Sequence, residues 1–126
     1  MMGSKPALSC KDKFDNPVVM TRACFNRHKN KRPELRDPSF FPSMIIKTLK
    51  EPTFTIKGLA QNKFVTEVLC YYYEVYNTDK LTRYIKVIVD ISHRNNKNSG
   101  VSYVCSVWRP DKIQETRYGF KPTFYN

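Results

Sequence analysis

The sequence predicts an α+β fold in which short N-terminal helices pack on a four-stranded antiparallel meander sheet. A small β-barrel is the competing architecture, because long strands can coil and close. Three observations lead to this reading. Residues 51–110 contain four runs rich in Val, Ile, Tyr and Phe, divided by polar segments. Residues 1–50 contain Asn-Pro and Asp-Pro steps followed by apolar residues at helical spacing. The 126 residues are 40% hydrophobic and 13% aromatic, which supports a buried core and is too aromatic for a disordered basic tail. The simplest organisation is one domain over 1–126: a basic irregular or helical part (1–50), an antiparallel sheet (51–110) and a C-terminal extension (111–126).

Each element has a local reason. Asn16-Pro17 reads as an N-cap followed by proline at the first helical position. A short helix from there to about His28 would line up Val18, Val19, Cys24 and Phe25. Arg32-Pro33 separates it from the next segment, since the residue before proline disfavours helical geometry. Asp37-Pro38 repeats the start signal, and Ser39–Lys50 carries Phe40, Phe41, Met44, Ile45 and Leu49. Pro42 confines that helix to a start near itself. The strands are expected at Thr53–Leu59, Phe64–Tyr76, Leu81–His93 and Val101–Arg109. A tight turn at Asn77–Lys80 joins the two long ones, and a loop at Arg94–Gly100 leads to the last.

A two-residue loop at Thr78-Asp79 sets a register. It places Glu74 opposite Arg83, Tyr72 opposite Ile85, Cys70 opposite Val87 and Val68 opposite Val89. Pairing Ile91 with Val101 then brings Tyr103, Cys105 and Val107 to the same apolar face, which is the expected core face. The other face would carry Glu67 opposite Asp90 at one end and a row of Tyr73, Tyr84 and Trp108 at the other, with Tyr71 and Lys86 between. Helices covering this second face are the competing reading, favoured by Leu69, Ile88 and Val104. The same register puts Cys70 and Cys105 two strands apart, about 9–10 Å between Cα atoms. That exceeds the ~7 Å reach of a disulfide, so two buried thiols are expected there. Whether Cys10 and Cys24 pair is left open by the sequence.

Charge narrows the function. The chain has 22 Lys plus Arg against 11 Asp plus Glu, a net charge of +11. Residues 1–50 hold eleven basic and four acidic residues, so the excess is concentrated there, densest at Arg27-His28-Lys29-Asn30-Lys31-Arg32. Such a segment attracts polyanions. No apolar run approaches the roughly 18–20 residues of a membrane span. Met1–Pro6 has no apolar leader character, so an intracellular location (cytoplasm or nucleus) is expected, with secretion as the alternative. Four glycines and no CxxC pair argue against phosphate cradles and zinc sites. His28 and His93 stand apart without a nucleophile at useful spacing and read as surface residues. No enzymatic activity and no cofactor are expected.

The leading expectation is a non-enzymatic nucleic-acid-binding protein that favours RNA or single strands. Arg22, Arg27, Lys29, Lys31, Arg32 and Arg36 would contact phosphates, with Lys86 and Arg94 secondary. Tyr73, Tyr84 and Trp108 would stack on bases. Short helices ahead of a four-stranded meander also resemble the cystatin-like or NTF2-like layout, at the level of topology. That resemblance implies the second expectation, a protein-interaction or inhibitor domain that binds an acidic partner surface. The cystatin loop Gln-x-Val-x-Gly is missing, since Gly58-Leu59-Ala60-Gln61 does not match it, so no inhibitory residue carries over.

Overall fold

A computed structural model describes residues 5–58, 63–65, 67–76, 82–92 and 100–110. The four expected strands form the expected meander: β3 (Phe54–Gly58), β4 (Val68–Tyr76), β5 (Thr82–Asp90) and β6 (Ser102–Trp108), each antiparallel to the next. Two short strands extend it, β1 (Leu8–Lys11) and β2 (Pro17–Met20). The sheet is six-stranded and open, in the order β1-β2-β6-β5-β4-β3, and β2 runs parallel to β6. Its edges are β1 and β3, so it does not close into a barrel. The connection from β2 back to β3 carries helix α1 (Arg22–Lys29), a 3-10 turn (Pro33–Arg36) and helix α2 (Ser43–Lys50).

The helix expected from Asn16 is replaced at its start by β2. Pro17-Val18-Val19-Met20 alternates between outward and buried positions, and two β-branched residues suit a strand. Proline is tolerated as the first strand residue. The helix start falls four residues later than Pro17, at Thr21, whose Oγ1 accepts from the Cys24 N–H at 3.1 Å. α2 begins directly after Pro42, as expected, and buries Ile45, Thr48 and Leu49.

The β1–β2 hairpin is organised by Asp12. Its carboxylate accepts from the Phe14 and Asn16 N–H groups at 2.9 and 2.8 Å, and Asp15 takes the left-handed conformation (φ 66°) that completes the turn. Asp12 also accepts a short hydrogen bond from the Tyr71 hydroxyl on β4. Both side chains are buried. The hairpin is thereby tied across the sheet to β4, the strand next to the opposite edge.

Both helices lie on one face. The core beneath them gathers Leu8, Val18 and Met20 from the hairpin, Ile45 and Leu49 from α2, and Leu69, Tyr71, Ile85, Val87, Val89, Val104 and Val107 from the meander. The β5 and β6 members Ile85, Val87, Val89 and Val107 match the sequence reading; the β4 members do not. β4 and β5 pair as Tyr71↔Val87 and Val75↔Arg83, one residue from the expected register, so Tyr71 and Leu69 point to the core in place of Tyr72 and Cys70. Residues 68–73, Val-Leu-Cys-Tyr-Tyr-Tyr, are apolar on both faces, and such a strand specifies its register weakly. The assumed turn at 77–80 and the Arg94–Ser99 loop lie outside the described residues, as does the 111–126 extension.

A second slip occurs on β6. Ile88 pairs with Ser106 but Val89 with Val104, leaving Cys105 as the extra residue of a β-bulge. Asp90 faces Val68 and Tyr103 rather than Glu67 and is buried, so the expected solvated carboxylate pair does not form. All four cysteines are free; Cys70 is buried as expected, whereas the bulged Cys105 is half-buried.

Asp12→Ala removes three hydrogen bonds to one carboxylate. It should lower stability by about 2–3 kcal/mol, seen as a lower urea midpoint at unchanged m value.

A candidate nucleic-acid interface on α1 and the 3-10 turn

β2 pairs with β6 through only two residues, Val18↔Ser102 and Val19↔Tyr103. Among the described residues, no strand lies beside the β6 edge facing β2 beyond Tyr103. Helix α1 and its exit cover that edge with side chains four residues apart. The Cys24 thiol donates to the Val104 carbonyl at 3.2 Å, His28 Nε2 lies 2.9 Å from the Cys105 carbonyl, and Arg32 Nε donates to the Val107 carbonyl at 3.3 Å. The Arg32 guanidinium also lies 5.2 Å over the Trp108 ring. In an unbroken strand consecutive carbonyls point to opposite edges. The extra residue at Cys105 brings the Val104 and Cys105 carbonyls to the α1 side, in phase with that of Val107.

This arrangement divides the basic cluster. His28 and Arg32 turn inward and are half-buried, which corrects the reading of His28 as a surface residue. Burial pushes the His28 imidazole below its ordinary value of 6.5, opposed by its bond to Cys105 and reinforced by Arg27, Arg32 and Lys31. Burial raises the Cys24 thiol, with Arg27 partly offsetting it, and lifts Cys105 to about 11 with the help of Asp90 and Cys24. Both shifts disfavour the thiolate near neutrality.

The other cations reach solvent, with Arg27 also beside the Cys24 thiol. Arg22, Arg27, Lys31 and Arg36 are exposed, and Lys29 is half-buried. None has a carboxylate partner among the described residues; the ion pair found there is Lys11–Asp15 at 3.5 Å, at the far hairpin. Arg22 and Lys29 sit 5.8 and 6.0 Å from the Phe25 ring. Phe25 in turn packs against Phe41, with centroids 4.7 Å apart and planes at 36°. These rings, with Lys29, Asn30, Arg36 and Asp37, line an open groove of about 570 Å³ between α1 and the segment leading into α2, and buried Leu35 lies beneath. Asp37 Oδ1 accepts from the Ser39 N–H and hydroxyl at 2.9 and 2.8 Å, which holds its carboxyl below the usual range and ionised.

The expected aromatic row is not assembled. Tyr73 lies opposite Ile85 on the helix side, where Lys47 sits 5.4 Å over its ring, while Tyr84 and Trp108 lie on the opposite face. Tyr84 is packed in a cluster with Phe54 and Tyr72, centroids 5.8 and 5.7 Å away. Lys86 is buried beside Tyr72, 5.3 Å from its ring. The cause is again the register, which moved Tyr73 off the face of Tyr84. Arg94 lies outside the described residues. The groove residues Phe25, Phe41, Asn30 and Asp37 were not read as a site from the sequence, which put both phenylalanines at helical spacing; the Asp37-Pro38-Ser39 turn beside a basic helix was the available signal.

No protein-family model matches the chain, and searches of curated proteins and of solved structures find no match either.

Because the folded His28 value lies below the unfolded one, the unfolded chain binds more protons as pH falls through 6.5, and stability falls with it. His28→Gln should cost about 1 kcal/mol at pH 7.5, where neutral His28 holds the Cys105 carbonyl. That cost should shrink toward pH 5, where wild type loses the advantage; urea midpoints at the two pH values measure it.

Proposed function

We propose that this is a small, basic, non-enzymatic nucleic-acid-binding protein whose contact surface is the outer side of α1 and the following 3-10 turn. The carrying observation is that Arg22, Arg27, Lys29, Lys31 and Arg36 project from one short segment without carboxylate partners among the described residues, while Cys24, His28 and Arg32 of the same segment hold it against β6. Cations on a pre-positioned frame neutralise phosphates without ordering a loose loop on binding. Residues 22–37 hold six Lys or Arg against two carboxylates, Glu34 and Asp37, so the local field is net positive.

This surface differs from the one composed of sheet aromatics. Tyr73, Tyr84, Trp108 and Lys86 are left out of it, since Tyr73 lies on the opposite face from Tyr84 and Trp108, and Lys86 is buried. Phosphate contact then supplies most of the affinity, and discrimination must come from the groove beside the helix.

Binding to a single-stranded RNA homopolymer should fall log-linearly with salt, with a slope of about −3 to −4 for five phosphate contacts. Arg27→Gln with Lys31→Gln should reduce the slope by about 1–2 and leave circular dichroism unchanged. No binding at about 50 mM salt overturns the proposal. So does equal displacement by polyglutamate, which would favour an acidic protein partner.

A further inference from the structure

We propose that the groove between α1 and the start of α2 holds one unstacked base of the bound strand and prefers bases with an exocyclic amino group to uracil. This rests on the nucleic-acid reading above and names the chemical unit that the site takes.

Size comes first. A groove of about 570 Å³ falls within the range of small-molecule sites, roughly 300–1,000 Å³, and admits a single nucleotide unit. A base in a duplex is stacked on both sides and cannot enter without flipping, so the groove favours single strands.

Chemistry follows the same lines. Phe25 and Phe41 form an aromatic wall whose two rings are only half-buried. Any base has a π-face to lay against such a wall. Lys29 and Arg36 line the groove as cations free of carboxylate partners among the described residues, in position for the phosphates on either side of the base. Asp37 is the discriminating member. It is an exposed carboxylate in a basic surface, and the turn it forms with Ser39 uses Oδ1 alone. Its Oδ1 is engaged by Ser39, and among the described residues Oδ2 accepts no hydrogen bond. An ionised carboxylate only accepts. Facing the exocyclic position, it accepts from the amine of cytosine, adenine or guanine and repels the O4 of uracil, whose N3–H is flanked by two carbonyl oxygens that disfavour the alternative approach. The Asn30 side-chain amide, with both donors and an acceptor, tolerates either edge.

Cytidine and uridine isolate the carboxylate, because the two bases are nearly equal in size and stacking surface. Fluorescence anisotropy with the full-length protein would compare 12-nucleotide oligo(C) and oligo(U) RNA at one salt concentration. Wild type should bind oligo(C) at least about 5-fold tighter. Asp37→Asn should abolish or invert that ratio while leaving overall affinity equal or stronger, because an exposed negative charge is lost. Phe41→Leu should weaken both oligonucleotides about 5-fold or more, and circular dichroism confirms that it folds. Equal binding of the two oligonucleotides by wild type, or a preference that survives Asp37→Asn, overturns the groove while leaving the basic face standing. Absence of binding to either at low salt removes both.

Discussion

The carbonyl edge of β6 fixes where the basic segment Arg22–Arg36 lies. Strand pairing with β2 ends after two residues, and an unpaired edge must be covered or hydrated. The covering is done by three side chains four residues apart, Cys24 and His28 on α1 and Arg32 just past its end. A helix committed on one side by such bonds has its opposite side determined. The bulge at Cys105 belongs to the same device, because it turns two consecutive carbonyls toward the helix. Upstream, the Asp12–Tyr71 bond anchors the hairpin from which α1 departs. A chain of polar contacts thus runs from β4 through the hairpin to the basic segment.

Much of the architecture is legible locally. The β-branched and aromatic runs of the second half are strands whatever their partners, and Pro42 ends one conformation and opens another wherever it stands. β1 and β2 are less legible because Asn16-Pro17 is compatible with a helix start and with the first residue of a strand. The difference is decided by Tyr71, more than fifty residues away, which holds the hairpin turn. Register is the least legible property. Tyr71, Tyr72 and Tyr73 can each occupy an interior, so alternation carries little information there, and one slipped residue sends Tyr73 to the helix side and Tyr84 to the other.

The candidate site divides along the same line. Its charge is visible in composition, since the excess of Lys and Arg sits between residues 22 and 36. Which of those cations serve the fold and which face outward is invisible there, because Arg32 and His28 answer to carbonyls some 75 residues further on. The groove is equally non-local. Phe25 lies on α1 and Phe41 in the turn before α2, and they meet across the 3-10 turn at Pro33–Arg36. Apolar residues at helical spacing normally signal core, and both rings do touch it; their remaining exposed edge follows from the turn.

The central claim is that nucleic acid meets this protein on the outer side of α1 and its following turn, not on the sheet. Amide chemical-shift mapping during titration with single-stranded RNA tests it most directly. The account predicts shifts concentrated between Arg22 and Phe41, strongest near Lys29–Arg36, with β3, β4 and β5 unperturbed. Shifts centred on Phe54, Tyr72 and Tyr84, with α1 silent, would contradict it.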